Sequence, residues 1–329
     1  MPHTFDLLVI GDANPDIVLG PLDAPLAFGQ REQLVDTGLL TLGGSAAIMA
    51  CGAARLGLKV AFAGRVGNDD AGRFVRTALD ARGVNTDALR VDRGLPTPLT
   101  VVVTRGDGDR TILTSPGTLS ATGPDDIPEA LLTSSRHVHA ASYFLLPELA
   151  DALPELLATA RAQGATTSLD TNDDPSGEWA PGRIDATLAV TDFLLPNAQE
   201  ALALASAAAS PDAAGSLATA DSLEAAAGTL AALGPRVVVK NGADGALVHD
   251  GRTLLRAPAI PARPLDTVGA GDSFDAGFIA AFLRGLSIAE ALAFAAACGA
   301  LSTRAHGGTA AQPTWDEART ALARNGKNL

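Results

Sequence analysis

Short apolar runs alternate along this chain with longer stretches of helical periodicity. The first run, Phe5–Ile10, ends at Gly11 and is typical of a strand buried in a parallel sheet. Similar runs follow at Val60–Ala63, Val138–Ala141, Thr167–Leu169, Phe193–Leu195 and Val237–Val239. Helical patterns lie between them, over residues 44–56, 70–82, 147–163, 197–206 and 221–233. The alternation predicts an α/β fold with a central, mostly parallel sheet and helices on both faces.

Two segments, about residues 17–41 and 96–114, break this alternation. In the second, the runs Leu99–Thr104 and Thr111–Thr114 flank a turn sequence rich in Gly and Asp, which predicts a hairpin. We therefore expect β-structure outside the main sheet, and a surface hairpin without a catalytic role is the alternative. A further stretch, residues 201–232, is rich in alanine and is interrupted at Ser210–Pro211, which predicts two helices and a loop.

The composition is that of a globular protein with a sizeable apolar core. Hydrophobic residues make up 47% of the 329 positions and charged residues 19%, and this length allows one large domain or two. The net charge of −13, from 24 basic and 37 acidic residues, disfavours nucleic acid and anionic membranes as partners. The N-terminus has no signal-peptide pattern, and the apolar run at 291–301 is too short to span a bilayer. We therefore expect a cytoplasmic enzyme.

The strongest chemical signal lies in the stretch Asp266–Phe278. Its sequence, Asp-Thr-Val-Gly-Ala-Gly-Asp-Ser-Phe-Asp-Ala-Gly-Phe, places small residues at the start of a helical apolar pattern. Such a turn leaves backbone N–H groups free at a helix N-terminus, where they and the helix dipole favour a bound anion. Asp272 stands beside this predicted anion hole, an arrangement that suits phosphoryl transfer with a carboxylate as base. The alternative is an ordinary helix start that Asp272 caps.

Polar residues or glycine follow four of the predicted strands: Asn14, Asp170, Asn197 and Gly242. Because ligands of parallel sheets bind beyond the carboxyl ends of the strands, these positions are expected to converge on one cleft. Asn14 and Asp16 are expected on a single loop, either as a fork for vicinal hydroxyls or as a turn. Asn197 and Glu200 fit either a site for an ion and phosphate or a helix N-cap with its capping-box glutamate.

Two more strand ends leave alternatives open. Asp170 and Asn172 fit either a loop cap or a contact to a bound ion through water. Lys240 ends the run Val237–Val239 and fits either a phosphate contact or an ordinary solvated lysine.

The stretch Asp266–Phe278 closely resembles the second signature of the ribokinase-like (PfkB) carbohydrate kinase family. Three earlier stretches of the chain also resemble motifs of that family, and they occur in the family's order. The first signature is matched by Gly43-Gly44 with Ala50, Gly57 and Gly67. The N-x-x-E motif is matched by Asn197–Glu200, and the nucleotide-site turn by Lys240–Gly245. Together these similarities cover most of the chain.

The resemblance implies a ribokinase-like fold in a single domain, residues 1–329, with a β-lid formed by the segments 17–41 and 96–114. It implies transfer of the γ-phosphoryl group of ATP, with Mg²⁺, to a hydroxymethyl group of a sugar or nucleoside. Asp272 would be the base, and Gly269, Ala270 and Gly271 would form the anion hole. At a helix N-terminus such a base is expected to have a low pKa. Many relatives of this kind dimerise through the lid, so a homodimer is a further expectation.

The resemblance also assigns three sets of ligand contacts. The substrate set is Asn14, Asp16, Gly43 and Gly44. The set for ATP and Mg²⁺, in which Glu200 acts on the ion through water, is Asn197, Glu200, Lys240, Gly242 and Gly245. The set for K⁺, an additional candidate cofactor, is Asp266 and Val268, beside the later loop 303–308.

One position departs from the family pattern. Ile48 stands where sugar kinases of this family carry an asparagine that bonds a substrate hydroxyl, and isoleucine offers no such bond. The transfer chemistry is unaffected, but the identity of the substrate stays open. Free sugars and nucleosides come first. A phosphorylated sugar is less favoured, because Arg105 and Arg110 of the lid are the only basic candidates near the site.

Two other functions are compatible with the resemblance. The chain could be a family member with weak or no catalysis that acts as a ligand-binding or regulatory protein, which Ile48 favours and the intact Gly-Ala-Gly-Asp opposes. A vitamin-precursor kinase of the same superfamily is the second, and the two-glycine first signature and the predicted lid oppose it.

Overall fold

The computed structural model describes residues 3–106, 109–179, 184–208 and 222–325. The strands in these residues are β1 (Phe5–Ile10), β2 (Asn14–Gly20), β3 (Thr37–Gly43), β4 (Val60–Gly67), β5 (Asn85–Asp92), β6 (Leu99–Thr104), β7 (Arg110–Ser115), β8 (Ser135–Ala141), β9 (Thr166–Asp170), β10 (Phe193–Leu194), β11 (Arg236–Lys240), β12 (Ala246–His249) and β13 (Leu254–Ala257). The α-helices are α1 (Ser45–Arg55), α2 (Asp70–Asp80), α3 (Glu129–Ser134), α4 (Pro147–Ala162), α5 (Ile184–Leu188), α6 (Ala198–Ala208), α7 (Leu223–Ala231), α8 (Ala270–Leu283), α9 (Ile288–Ser302) and α10 (Trp315–Arg324).

A nine-stranded sheet forms the centre of the fold, in the order β13-β12-β11-β10-β9-β8-β1-β4-β5. The strands from β11 across to β5 run parallel, and β12 and β13 add two antiparallel strands at one edge. The inner parallel strands coincide with the apolar runs of the sequence, because a parallel sheet is covered on both faces. The predicted fold class is confirmed.

Helices cover both faces of this sheet. Leu7 and Val9 of β1 pack in a core with α1, α2, α8, α9 and α10, whereas Leu8 and Ile10 pack in a core with α3 to α7. Successive strand residues point to opposite faces, so a strand between two helix layers must be apolar at every position. The carboxyl ends of the parallel strands are left open, and the polar residues that follow them gather there.

A second sheet of four strands, in the order β3-β2-β6-β7, lies where the lid was predicted. Its bounds differ from the prediction, because β2 begins at Asn14 and β3 ends at Gly43. Asn14 and Asp16 therefore lie in a strand, and the loop predicted for them is wrong. The turn expected at Pro15 does not form. Pro15 pairs with β3, while the pairing of β2 with β6 starts at Asp16, so the proline lies beside one strand and not between two, which a sheet tolerates.

The predicted helices are found as α1, α2, α4, α6 and α7, with ends that differ by a few residues. Strands β5, β12 and β13 were not among the predicted strands, and in β5, at the edge of the sheet, only Thr86 and Leu89 are buried. The loop predicted at Ser210–Pro211 lies outside the described residues. Within the part of the chain that the structure describes, no helix has both the length and the apolarity of a membrane span.

Candidate active site

Helix α8 begins at the predicted anion hole. Its N-cap, Gly269, has a φ of 71°, and a Cβ at this position would lie 2.6 Å from a backbone carbon of the loop after α9. The turn therefore needs glycine. The N–H of Ala270 donates to the carbonyl of Thr267 at 3.2 Å, whereas no acceptor among the described residues bonds the N–H groups of Gly271 and Asp272. These two N–H groups, at the positive end of α8, are left to bind an anion. The anion hole predicted over Gly269–Gly271 is therefore corrected, because the N–H of Ala270 is already bonded and the N–H of Asp272, which was not predicted, is free of such a bond in the described part of the chain.

Asp272 lies in the first turn of α8 and is 9% exposed. Its Oδ1 accepts a hydrogen bond of 2.5 Å from the hydroxyl of Ser45. Burial raises the pKa of Asp272 to about 7, with a further contribution from the negative charge of Asp170, although the Ser45 hydrogen bond acts against the rise. The prediction of a low pKa is therefore wrong, because the removal of the carboxylate from water outweighs the helix dipole.

Lys240 stands at the centre of a buried cluster of charges beside Asp272. Its Nζ donates to a carboxylate oxygen of Asp170 at 2.5 Å and of Asp275 at 3.1 Å. The Lys240 side chain is 11% exposed, so the interpretation as a solvated lysine is wrong. Burial opposes the lysine charge, but the neighbouring acidic side chains, Asp170 first, outweigh this effect and raise the pKa of Lys240.

The two carboxyls that bond Lys240 have pKa values shifted in opposite directions. Burial acts against ionisation of Asp170, but Lys240 holds the pKa of Asp170 below its usual value. Burial raises the pKa of Asp275 well above its usual value, although Lys240 opposes this. Asp170 therefore favours the ionised form beside the ammonium, and Asp275 favours the protonated form.

A cleft of about 560 Å³ opens beside the first turn of α8. One part of its wall is apolar and includes Ile260, Phe274, Ala296 and Ala300. The other part is formed by the predicted nucleotide and anion residues Lys240, Gly242, Gly245, Ala270 and Gly271. An apolar wall that leads to free N–H groups and an ammonium suits a ligand with an aromatic end and an anionic end.

Asn197 and Glu200 bond each other reciprocally at the start of α6. The carboxylate of Glu200 accepts from the backbone N–H of Asn197 at 2.7 Å and from its amide at 2.6 Å, and the N–H of Glu200 donates to Oδ1 of Asn197 at 2.9 Å. The capping-box interpretation is confirmed. Burial raises the pKa of Glu200 to about 7, helped by the negative charge of Asp170. Each carboxylate oxygen accepts one of these bonds and has a second lone pair, so the pair still fits an ion held through water.

The lid carries a second polar group opposite α8. The amide of Asn14 donates to Oδ1 of Asp16 at 2.7 Å and to the hydroxyl of Thr100 at 3.2 Å. Burial raises the pKa of Asp16 to about 7, and the negative charge of Asp12 adds to the rise. A Cβ on Gly43 would lie 1.9 Å from Oδ1 of Asp16, so glycine is required for this carboxyl to lie across β3. Gly44, which follows, is the N-cap of α1 and leads from the lid to the main sheet.

Ile48 lies inside α1 and is 3% exposed. Its side chain packs on Gly269 and Gly308, where an added Cβ would lie 3.0 Å and 2.5 Å from atoms of Ile48. Ile48 therefore supports the turn that forms the anion hole, and it contributes no polar atom to the site.

Asp266 joins the two loops predicted to hold a monovalent cation. Its Oδ1 accepts from the N–H of Val268 at 2.9 Å and its Oδ2 from the N–H of Gly307 at 2.9 Å. The N–H of Leu265 donates to the carbonyl of Thr303 at 2.8 Å, which brings the loops together a second time. The loops 265–268 and 303–308 are therefore adjacent, as a shared cation site needs.

Three acidic or hydroxyl residues of this site were missed by sequence reasoning: Asp12, Ser45 and Asp275. The spacing of Asp272 and Asp275, three residues apart on one helix, could have placed them on one face. The contact between Ser45 and Asp272 spans 227 residues, and no local pattern reveals it. Asp12 accepts from the N–H groups of Ser45 and Ala46 at 3.2 and 3.0 Å, and a carboxylate at a helix start is a common cap that by itself indicates no chemistry.

The chain is similar to a family of known proteins, to two individual relatives and to a solved structure. The model of the pfkB family carbohydrate kinases matches residues 4–315. An ATP-dependent ribose-1-phosphate kinase of Halopiger xanaduensis is 32% identical over 311 residues, which are 94% of this chain and 95% of that protein. An aminoimidazole riboside kinase of Salmonella typhimurium is 30% identical over 351 aligned positions, covering 95% of this chain and 94% of that protein. The structure of Arabidopsis thaliana ribokinase complexed with ribose and ATP is similar with a TM-score of 0.79 and 26% identity, over 98% of this chain and 99% of that one.

Proposed function

Because the chain belongs to the pfkB family of carbohydrate kinases, we propose that it transfers the γ-phosphoryl group of ATP to a hydroxymethyl group of a sugar or nucleoside, as a single kinase domain with a β-lid. The observation that carries the proposal is Asp272 beside two free N–H groups at the edge of an apolar cleft. This arrangement combines a base and an anion hole within one helical turn.

The transfer assigned to this site is a single in-line displacement. The acceptor oxygen bonds to the γ-phosphorus while the bond between that phosphorus and the bridging oxygen of ATP breaks, and ADP leaves. Asp272 takes the proton of the acceptor hydroxyl. Its Oδ1 is bonded by Ser45, so Oδ2, for which no donor is found among the described residues, is the oxygen that receives this proton. The N–H groups of Gly271 and Asp272 stabilise the charge on the moving phosphoryl group.

The cleft beside α8 is the proposed ATP site. Its apolar wall would cover the adenine, and Gly242 and Gly245 would let the backbone turn approach the nucleotide. Lys240 would place its ammonium near the phosphates, because its Nζ lies 3.5 Å from the position that a Cβ on Gly271 would take. The ribokinase structure that this chain resembles is a complex with ribose and ATP, which supports this assignment.

Two cations complete the proposed site. Mg²⁺ bound with ATP neutralises phosphate charge, and Asn197 with Glu200 would hold its water shell. K⁺ would be held by Asp266 and the carbonyl of Val268 between the loops 265–268 and 303–308. Carboxylate and carbonyl oxygens are the donors that such hard cations prefer.

The acceptor would bind between the lid and α8. Asn14 and Asp16 offer a donor and an acceptor for neighbouring hydroxyls, while Gly43 and Gly44 leave room at the junction of lid and sheet. Because Ile48 is apolar and buried, one contact to a ring hydroxyl that sugar kinases of this family use is absent. We propose a sugar or nucleoside that does not depend on this contact. The expected cytoplasmic location stays a prediction.

A sugar phosphate is the second candidate acceptor, and Arg110 favours it. Arg110 lies on the same face of the lid as Asp16, and its Nη1 donates to the hydroxyl of Thr267, just before the anion hole, at 3.3 Å. A guanidinium in this place could bind a phosphate of the acceptor. The relative named as a ribose-1-phosphate kinase is consistent with this candidate.

The experiment that tests the function is ADP release from Mg-ATP with a panel of acceptors. The panel contains pentoses, hexoses, nucleosides and sugar phosphates, each with and without K⁺, and Asp272→Asn serves as the blank. Release that needs the acceptor and disappears in the blank supports the kinase and names the substrate class. ATP binding without ADP release for any acceptor would favour the ligand-binding alternative. Equal rates of ADP release with and without K⁺ would refute the proposed role of K⁺.

We also propose that two copies of the chain associate through the outer face of the lid. The register places Ile17 of β2 between Leu40 of β3 and Val101 of β6, and Val101 beside Leu113 of β7, so that the four form one apolar row. Leu40 and Leu113 are each 55% exposed. An apolar row of this kind on an open face is typical of an interface.

Sedimentation analysis tests the association. The wild type is expected to sediment as a dimer, and Leu113→Asp is expected to sediment as a monomer at the same concentration. Leu202→Asp, on the exposed side of α6, is the matched control and is expected to remain dimeric. A monomeric wild type at all concentrations would refute the interface.

A further inference from the structure

A chain of hydrogen bonds ends on the proposed catalytic carboxyl. The amide of Asn172 donates from Nδ2 to the hydroxyl oxygen of Ser45 at 3.0 Å, and the Ser45 hydroxyl donates to Oδ1 of Asp272 at 2.5 Å. Ser45 is the first residue of α1, and Asn172 follows β9, so the chain links α8 to two other elements. In the proposed transfer neither Ser45 nor Asn172 touches the acceptor or the phosphoryl group.

The first bond gives the second its direction. A serine hydroxyl can rotate and point its hydrogen to any acceptor nearby. Here an N–H of Asn172 occupies one lone pair of Ser45 Oγ, so the hydroxyl hydrogen is directed at Asp272. The amide itself is oriented, because Oδ1 of Asn172 accepts from the backbone N–H of Ser142 at 2.8 Å and Nδ2 must then face Ser45.

The backbone that holds this amide is strained at two positions. Asn172 has a φ of 55° and Ser142 a φ of 61°, and neither is glycine. They follow β9 and β8, which are adjacent parallel strands, and they are bonded to each other. Left-handed backbone at ordinary residues persists where the surroundings enforce it, and it clusters at functional sites. The strain therefore points to a required position of the Asn172 amide.

Separate groups hold the two ends of the arrangement. Asp12 accepts from the backbone N–H groups of Ser45 at 3.2 Å and Ala46 at 3.0 Å, which fixes the start of α1. The hydroxyl of Ser142 donates to Oδ1 of Asn172 at 3.3 Å, beside the bond from the Ser142 N–H. Asn172 is fixed in turn by its N–H, which donates to Oδ1 of Asp170 at 3.2 Å, so the loop-cap interpretation of Asp170 and Asn172 is confirmed.

We propose that Asn172 and Ser45 are positioning residues that hold the Asp272 carboxyl in one orientation, with Oδ1 occupied and Oδ2 turned to the acceptor hydroxyl. This inference rests on the proposed role of Asp272 as base. Without the two bonds the carboxyl would rotate, and its reacting oxygen would be in place for only part of the time. Ser45 and Asn172 would affect kcat and leave the KM for ATP unchanged, because neither lines the nucleotide cleft.

The test measures the pH at which the Asp272 carboxyl titrates, a property that a merely structural role of Ser45 or Asn172 would not change. The Ser45 hydrogen bond favours the ionised form of Asp272, so its loss shifts the titration of this carboxyl to higher pH. The charged and titratable groups around Asp272 are Asp12, Asp170, Lys240 and Asp275. All four residues are kept in the variants. Ser45→Ala removes no hydrogen bond of these four, so its shift reports the lost bond to Asp272, whereas Asn172→Gly also removes the bond of 3.4 Å from the Asn172 amide to Oδ2 of Asp170.

The experiment compares Ser45→Ala and Asn172→Gly with the wild type. Glycine is used at 172 because it accepts the left-handed backbone. The Asp272 carboxyl is followed by carbon NMR on protein labelled at the aspartate carboxyl carbons, with Asp272→Asn to assign the signal. In both variants the midpoint is expected to rise by up to about one pH unit, and kcat to fall about tenfold below pH 7 and less at alkaline pH. Ser45→Thr, which keeps a hydroxyl, is expected to restore most of kcat.

Ser135→Ala is the matched control, because Ser135 is also buried and bonded but lies at the opposite end of β8. It is expected to change neither the midpoint nor kcat. Unchanged titration and kcat in Ser45→Ala and Asn172→Gly would overturn the proposal. If the wild type phosphorylates no acceptor, the kinase proposal fails, whereas the carbon titration still shows whether Ser45 and Asn172 hold Asp272.

Discussion

The variant Asp272→Asn is expected to lose about two to four orders of magnitude in kcat, the range that removal of a general base typically costs. Asparagine cannot take the proton of the acceptor hydroxyl, but it can still accept the hydrogen bond from Ser45 through its amide oxygen. The anion hole is formed by backbone N–H groups and stays in place. ATP binding should therefore be retained, and calorimetric titration with ATP measures this separately from turnover.

The same variant is expected to be more stable than the wild type above pH 7. The pKa of Asp272 is raised by burial from its ordinary 3.8 to about 7 in the folded protein. A group whose pKa is higher in the folded than in the unfolded protein contributes its full stabilisation below the unfolded pKa. This stabilisation is lost as the pH rises through the folded pKa. Above pH 7 the wild type must keep an ionised carboxylate away from water, and asparagine removes that cost. Thermal unfolding of both proteins at pH 5 and at pH 8, conditions on either side of this pKa, measures the difference.

Asp69→Asn is the control with the opposite sign. Asp69 caps α2 and accepts from Gly72 and Thr97. Burial acts to raise the pKa of Asp69, but these hydrogen bonds outweigh burial and lower the pKa of Asp69. The ionised carboxylate therefore stabilises the fold at pH values above the pKa of Asp69 in the unfolded chain. The substitution is expected to reduce stability at pH 8 and to leave kcat near the wild-type value. Normal turnover in Asp272→Asn, or a loss of stability there at pH 8, would contradict the role and the titration assigned to this residue.

The opposite signs at Asp272 and Asp69 indicate how function and stability are divided in this fold. Asp69 is a carboxylate surrounded by donors at a helix start, and its charge is favourable there. Asp272 also stands at a helix start, yet the N–H groups of Gly271 and Asp272 do not bond its side chain, which accepts from one serine hydroxyl. Asp16 and Glu200 share the same raised pKa of about 7. The site thus gathers carboxyls that are costly to ionise, which lowers the stability of the fold at neutral and alkaline pH.

The parallel strands could be predicted from the sequence because burial on both faces requires a continuous run of apolar residues. β1, β8 and β11 lie between two helix layers and must be apolar at nearly every position. The edge strand β5, with the sequence Asn-Thr-Asp-Ala-Leu-Arg-Val-Asp, has no such requirement and resembles a loop. Strand β2 is hard to predict for a related reason, since its first residues, Asn14, Pro15 and Asp16, form no apolar run.

The chemistry of the site could be predicted in part. Asp272 and the glycines before it form a contiguous pattern, so sequence reasoning found them. Their electrostatics could not be predicted, because burial and the nearby Asp170 come from segments far along the chain. Ser45 escaped notice because serine at a helix start is common. For Lys240 the sequence allows either a phosphate contact or a solvated lysine. The choice depends on whether the end of its strand is buried, and only the tertiary structure shows this.

The variant Lys240→Met is expected to be the most destabilising single change at the site, by about 3–5 kcal/mol. Lys240 is enclosed and bonds both Asp170 and Asp275, and without it the ionised Asp170 has no compensating charge. Methionine has similar length, so lost packing contributes little to the effect. The free energy of unfolding from urea denaturation at neutral pH measures the loss. The variant is also expected to bind ATP more weakly, because the ammonium beside Gly271 is gone.

Two further substitutions separate the lost charge from other effects. Asp275→Asn is expected to cost little, since the raised pKa of Asp275 favours its uncharged form, which asparagine resembles. The double variant Lys240→Met with Asp170→Asn removes both charges and is expected to recover much of the loss, as neutral replacements of buried ion pairs do. Because Lys240 lowers the pKa of Asp170, the cost of Lys240→Met should also shrink at acid pH, where the unpaired Asp170 is protonated. No recovery in the double variant would mean that Lys240 stabilises the site by packing, and its ammonium would then have to be assigned to the nucleotide alone.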